Sequence, residues 1–388
     1  MKIIWITNLF NIHGYRCLSK LDEFGYNTHV ITFYEKEIPS EIKNLKRINY
    51  HFYRMNKLKN LKSDVFLRTK NLHVKLLNNI GFYKFIKKCI LNIKPDIIQA
   101  DWLLDVGFFA ALSGFHPFIL IPLGSDILIR PKKRVVDKIK VRYAIKKADM
   151  IACDCIEVRD KIVNRFSNSK KEVSVFPWGI NLKKFKPSYD NKFKNNLLKK
   201  YSWEHESKIL IMTRNMQHIY DIETFIKAMA CVCKKAPYTK AILIGTGPLL
   251  KDMKSITYDL GLQNNVKFLG YIENDKLPLY LNACDIYVSS SLSDGTSLSL
   301  LEAMACALPV VVTSIPANQE WIKDGINGYL FPTGDQNLLY KRIIDLLINE
   351  NEVKNFGSKN YRIACEKANW DKNFEILESM YNKLTVSK

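Results

Sequence analysis

Short apolar runs recur along this chain, and each is followed by a stretch with helical spacing. In the first half the runs are Lys2–Thr7, His29–Phe33, Asp96–Ala100, Phe118–Pro122, Met150–Cys153 and Val173–Phe176. They are dense in Ile, Val and Phe and show no polar alternation, so they read as strands of a parallel sheet covered on both faces. The segment Pro187–Ser207 is polar and rich in Lys and Asn, and reads as a linker carrying one short helix. A second alternation follows, with strands at Lys208–Thr213, Ala241–Gly245, Val266–Leu269, Asp285–Ser289 and Val310–Thr313. Helices are predicted between them at Ile222–Lys234, Leu249–Leu260, Leu277–Ala283 and Ser299–Leu308. The expected fold is α/β, with two Rossmann-like doubly wound domains facing across a cleft. The first spans 1–186, a linker 187–206, the second 207–368, and a closing helix 369–388 is expected to pack back on the first domain. A length of 388 residues, large for one core, favours the same division. Ligands of such sheets bind at the carboxyl ends of the strands, which directs attention to that cleft.

Two apolar stretches bear on membranes. Met1 to Asn8 is short and has no small-residue cleavage site, so it reads as a first strand and not as a signal peptide. The uncharged run Val106–Gly124 approaches a membrane span in length, but Gly114, His116, Pro117 and Pro122 interrupt it. It reads as a helix followed by a buried strand. The nine cysteines form no CxxC pair and have no histidine cluster beside them, so reduced thiols are expected and no metal site.

Charge changes the picture. Residues 1–186 carry 35 Lys and Arg against 16 Asp and Glu, while residues 187–388 carry 24 against 22. A basic first half favours an anionic partner. The Leu-, Ile- and Phe-rich segment 66–93, with Lys57, Lys59 and Lys62 just before it, admits two readings. It is either a basic amphipathic helix lying on a membrane surface or a helix packed on the sheet with solvated lysines. The basic stretches contain no recognisable nucleic-acid module, so nucleic acid is not an expected partner.

The chemistry-bearing stretch is Ser289–Ala305, which leaves a strand, turns and enters a helix. Ser297 and Ser299 are both suited to cap that helix, and free N–H groups at a helix start attract phosphate. Gly295 allows close backbone approach. Asp294 lies before the helix and Glu302 about one turn inside it, so two carboxylates address one ligand from two sides. Carboxylates suit vicinal sugar hydroxyls. Helix-dipole compensation is the plainer reading of Glu302.

Asp294-x7-Glu302-Ala-Met-Ala resembles the hallmark E-x7-E of the family 4 (GT4) retaining glycosyltransferases, also grouped as glycosyl transferases group 1. Further landmarks run the length of the chain: Gly124-Ser125-Asp126, Pro177-Trp178-Gly179, Ile242–Leu250, Val266–Tyr271 and Glu320–Phe331. The resemblance implies the GT-B fold and a hexose-type sugar moved from a nucleotide-diphosphate sugar to a glycan or lipid-phosphate-linked acceptor. It implies an enzyme of cell-surface polysaccharide or glycolipid synthesis that needs no metal or cofactor. It also implies a cytoplasmic location, on the inner face of the membrane if the basic half docks there. Carried over to this chain, Glu302 binds the ribose hydroxyls and Asp294 faces the donor sugar. The Thr296, Ser297 and Leu298 backbone holds the diphosphate or a sugar hydroxyl, beside Gly295. Arg214 pairs with the diphosphate, Tyr220 lies near it, and Tyr271 is near the base. Gly14, in the loop after the first strand, approaches the diphosphate, and His13 and Asp126 stand on the acceptor side.

The chain departs from the family pattern at several points. Ile219 stands where a Lys is usual, Leu123 where a His is usual, and Ala307 where a helix-ending Gly is usual. His13-Gly14-Tyr15 replaces a Gly-Gly loop, and Asp294 is one methylene shorter than the usual Glu. A non-catalytic partner subunit and a sugar-nucleotide epimerase remain as other readings. No GxGxxG follows the first strand and no GxxxxGK[ST] occurs, which sets aside nicotinamide enzymes and P-loop NTPases.

Overall fold

The computed structural model describes residues 1–7, 12–32, 38, 40–54, 72–166 and 172–386. The chain divides into two compact units, Met1–Phe176 with Phe374–Lys388, and Pro177–Asn373.

The first unit is built on β1 (Lys2–Ile6), β2 (Asn27–Thr32), β3 (Ile48–Phe52), β4 (Ile97–Asp101), β5 (Phe118–Ile121), β6 (Met150–Cys153) and β7 (Val173–Val175). Their order is β3-β2-β1-β4-β5-β6-β7, all parallel. Ile3, Ile4, Trp5 and Ile6 are all buried, as a strand covered on both faces requires. β3 was not anticipated; Asn49 and His51 interrupt its apolar residues.

The helix Leu72–Ile93 turns Phe82, Ile86 and Cys89 into the core and leaves Ile80 and Leu91 exposed. It packs on the sheet, the second of the two readings above; Lys57, Lys59 and Lys62 lie outside the described residues. The run Val106–Gly124 forms the end of a π-turn, the helix Phe108–Ser113, a left-handed Gly114 and then β5. Among the described residues no helix is long and apolar enough to cross a membrane. None of the nine cysteines is in a disulfide.

The helix Trp370–Val386 starts in the second unit, and from Phe374 onward it belongs to the first. Phe374, Leu377, Met380 and Tyr381 bury one face of it. Tyr381 Oη donates to Gln99 on β4, and Tyr26 Oη donates to Glu378 at 3.0 Å.

The second unit carries β8 (Lys208–Thr213), β9 (Thr239–Ile244), β10 (Val266–Gly270), β11 (Ile286–Ser289), β12 (Val310–Thr313) and β13 (Tyr329–Phe331). All are parallel in the order β10-β9-β8-β11-β12-β13. This is the 3-2-1-4-5-6 winding of a dinucleotide fold, whose order reverses between β8 and β11. The unit begins at Pro177, earlier than the boundary expected at 186, and it includes the expected linker. The physical reason is anchoring. Lys194 on the helix Lys192–Lys200 holds both oxygens of Asp285 at 2.9 Å, and Trp203 Nε1 donates to the Asn264 carbonyl at 2.9 Å.

The helix Leu298–Ala305 ends in a Schellman motif. Leu308 N–H returns to the Ala303 carbonyl at 3.1 Å and Ala307 N–H to Met304 at 3.0 Å. Ala307 therefore sits at φ 56, a left-handed conformation that favours glycine. Relief of that backbone strain exceeds the entropy glycine adds to the unfolded chain, so Ala307→Gly is expected to stabilise the unit by about 1 kcal/mol. Urea unfolding measures it, and an unchanged or lowered midpoint would refute the strain.

Candidate functional site

The winding of the second sheet assembles the site. β8 and β11 are neighbours, registered Leu210 to Ile286 and Ile211 to Tyr287. The residues leaving their carboxyl ends, Arg214 and Ser289–Asp294, must therefore meet, although Arg214 and Asp294 are 80 positions apart. Arg214 is 9% exposed. Its Nη2 donates to Asp294 Oδ2 and to Ser297 Oγ, its Nε donates to Ser289 Oγ at 3.4 Å, and the guanidinium lies 4.9 Å from the Tyr220 ring centre. Burial acts to lower the pKa of this group. The charge of Asp294 beside it more than offsets that, and the net shift is upward. A cation fixed for all working pH values thus stands at the switch point. Burial pushes the Tyr220 and Tyr287 phenols up as well, so both are neutral donors.

Ser297 caps the helix Leu298–Ala305, accepting from Leu300 N–H at 3.3 Å. Its side chain thus joins the helix start to Arg214. Ser299 accepts from Tyr287 Oη at 2.9 Å, which seats the same turn on β11. Thr296, Ser297 and Leu298 are buried, and Gly295 N–H bonds Asp294 Oδ1 at 3.1 Å. Glu302 lies inside the helix, 5% exposed, and Asn274 Nδ2 approaches its Oε1 at 3.5 Å. Lys184 fixes that amide, donating to Asn274 Oδ1 at 2.7 Å.

Gly245 and Gly247 line the same end of the sheet. A Cβ on Gly245 would stand 2.2 Å from the Arg214 carbonyl, and one on Gly247 would stand 2.4 Å from that of Met216. Only glycine lets this loop lie against the backbone that carries Arg214. Tyr271, just after β10, is 70% exposed.

In the first unit Gly14 is not in a loop. The helix Ile12–Glu23 starts before it, and Gly14 is buried in the first turn. His13 occupies that turn too, with its side chain outside the described residues. Asp126 is fully buried. Its oxygens accept the backbone N–H groups of Leu103 at 2.9 Å and Leu123 at 3.1 Å. Burial pushes its carboxyl up to about 6, against the pull of those backbone bonds. Its carboxyl group ties the start of the π-turn at Leu103 to the loop at Leu123.

The structure thus brings Arg214, Tyr220, Asp294, Gly295, Thr296, Ser297, Leu298 and Glu302 to one end of the second sheet, with Tyr271 just after the edge strand β10, two strands from β8. Gly14, His13 and Asp126 belong to the other unit. Sequence reasoning missed Ser289, Tyr287 and Asn274, which touch the site through partners distant in the chain. Among the described residues no group of three His, Cys, Asp or Glu is placed to hold a metal ion.

Two doubly wound units, with a buried cation, an acid and a helix start at the switch point of the second, define the GT-B fold. Sucrose-phosphate synthase from Thermosynechococcus elongatus superposes with a TM-score of 0.81 over 100% of both chains, at 16% identity. Anabaena HepE in complex with UDP-glucose gives 0.79 over 98% of this chain and 100% of that one, at 18% identity. Residues 193–363 match the model of glycosyl transferases group 1, and residues 2–155 match glycosyl transferase 4-like proteins. The chain belongs to this GT4-like glycosyltransferase family. Among curated relatives it is 29% identical over 247 residues to an alpha-monoglucosyldiacylglycerol synthase of Streptococcus pneumoniae. That match spans 63% of this chain and 54% of the relative, so the chain is matched to about half of that protein's length.

Proposed function

We propose that this chain is a retaining glycosyltransferase that moves a hexose from a uridine-diphosphate sugar to a glycan or lipid-phosphate-linked acceptor. The observation that carries it is Arg214, a buried guanidinium held by Asp294, Ser297 and Tyr220 at the switch point of the second sheet. A nucleoside diphosphate leaves with charge building on its β-phosphate, and a fixed cation beside a helix start stabilises that charge. Arg214 supplies it without a metal. Glu302 takes the ribose hydroxyls, Asp294 the transferred sugar, and the Gly295–Leu298 backbone the diphosphate. The backbone at Tyr271 contacts the base. The bond from the sugar C1 to the phosphate oxygen breaks and one from C1 to the acceptor oxygen forms on the same face. The acceptor proton goes to the departing phosphate.

Support for uridine comes from HepE, whose structure holds UDP-glucose. Support for a lipid-borne acceptor comes from the glucosyldiacylglycerol synthase and from a relative that acts on GlcNAc-diphosphoundecaprenol. Such an acceptor places the enzyme at the cytoplasmic face of a membrane, bound through its basic first unit. Asp126 serves the acceptor side by positioning the backbone at Leu103 and Leu123, and His13 stands on that side.

A thermal-shift screen against UDP-, GDP- and ADP-glucose tests the donor. UDP-glucose at a hundred times its Kd is expected to add about 2.7 kcal/mol of stability. NMR of the product is expected to show the donor's anomeric configuration retained. No shift with any nucleotide sugar would overturn the reading.

A further inference from the structure

Helix Val135–Lys147 has two apolar faces, and only one of them is used by the fold. Val141, Ala144 and Ile145, continued by Ala148, are buried against the core of the first unit. Val135, Val136 and Ile139 point elsewhere and are 75%, 62% and 62% exposed. Val135 and Ile139 stand one turn apart on the same stripe, with Val136 beside them. Scattered exposed valines are ordinary, but three on one helix face form a patch that calls for a partner.

The charges around this patch say what the partner is. From Arg130 to Lys147 the chain carries nine Lys and Arg and a single acid, Asp137. Arg130, Arg134 and Arg142 are exposed, and Arg142 follows Val135 and Ile139 along the helix. Lys140 is committed inward, donating to the Leu104 carbonyl at 3.3 Å and lying over the Phe108 ring at 5.2 Å. An apolar ridge flanked by cations suits a surface that is anionic outside and apolar just beneath, which is the headgroup layer of an anionic bilayer. A soluble polyanion would use the cations and leave the ridge in water.

We infer that Val135, Val136 and Ile139, flanked by Arg134 and Arg142, are the element by which the first unit inserts into the headgroup layer of an anionic membrane. This rests on the peripheral-membrane part of the function proposed above, and it names the surface. It also moves that surface away from helix Leu72–Ile93, whose Phe82, Ile86 and Cys89 are spent on the core.

Cosedimentation of the full chain with vesicles of equal parts phosphatidylglycerol and phosphatidylcholine tests it. Wild type is expected to bind, with partial release as sodium chloride rises, because salt screens the charges but not the apolar ridge. The triple variant Val135→Gln, Val136→Gln, Ile139→Gln keeps helix propensity and is expected to lose about tenfold in partitioning. Its shift with UDP-glucose is expected to stay at the wild-type value, which shows that it is folded. Leu91→Gln, on the other helix, is expected to bind as wild type. If wild type ignores these vesicles while UDP-glucose still binds, the membrane reading fails and this inference with it, but the donor reading stands. If wild type binds and the triple variant binds equally, this face is not the docking surface. If Arg134→Glu with Arg142→Glu abolishes binding and the triple variant does not, the contact is with a polyanion and the inference is overturned.

Discussion

Arg214→Ala is expected to lower transfer from UDP-glucose about a thousandfold, the scale of removing one preorganised charge stabiliser from a water-poor site. The reason lies in what surrounds the guanidinium. The position of the usual second cation is Ile219, so the site's positive charge is concentrated on Arg214. Nε and Nη2 are already oriented by Ser289, Asp294 and Ser297, and the plane rests near Tyr220. That orientation is set before the donor arrives, so little reorganisation is needed as charge develops. Arg214→Lys is expected to recover little, because an ammonium cannot match three directed partners or stack on the phenol. The loss should fall more on kcat than on KM, since the diphosphate is already anionic in the bound donor and the further charge on its β-phosphate develops only as the bond breaks. A structural role alone would appear as a lowered melting temperature with normal kcat in the folded fraction. An Arg214→Ala enzyme that keeps a tenth of wild-type kcat would sink the assignment.

The asymmetry between what could be read along the chain and what could not is clear at this arginine. β8 was legible as Lys208–Thr213 because an apolar run bounded by polar residues has one good interpretation. So were β6 and β12, whose predicted bounds are those observed. The acids of Asp294-x7-Glu302 were legible because both lie in one short loop-to-helix stretch of the chain. The bond from Arg214 to Asp294 was not read, since it depends on β8 and β11 lying side by side, a fact of winding order. Asn274 was invisible for the same reason; its neighbour Glu302 comes from another strand crossing. β3 escaped because its polar positions broke the apolar run that marked the other strands. Gly14 was placed in a loop by analogy with glycine-rich turns, but a lone glycine within Ile12–Glu23 does not stop a helix. The exposed ridge of helix Val135–Lys147 could not be told from a core stripe either. Valine is written the same way whether the sheet covers it or not, and only burial separates Val135 from Val141.

Glu302→Gln is expected to raise KM for the donor about a hundredfold while kcat falls much less. Glu302 is 5% exposed in the helix whose start is proposed to hold the diphosphate, and Asn274, itself held by Lys184, stands 3.5 Å from its Oε1. Burial, and after it the negative charge of Glu302, pushes the neighbouring Cys306 thiol up. A buried carboxylate with its geometry fixed is a strong acceptor for two vicinal hydroxyls. Each hydrogen bond to a charged group contributes about 1.5 kcal/mol or more, and two account for the hundredfold. These bonds form in the ground state and persist in the transition state, which is why KM should carry the loss. The amide keeps the shape and most of the packing, so the melting temperature should move little. A deoxyribose donor separates a ribose ligand from a merely structural acid. Wild type should discriminate strongly against UDP-glucose lacking the 2′-hydroxyl, because the bond from that hydroxyl to the carboxylate is then lost. Glu302→Gln should discriminate far less. Equal discrimination by the two enzymes would mean that Glu302 does not touch the ribose, and the hallmark acid would then serve the fold of the helix and not the donor.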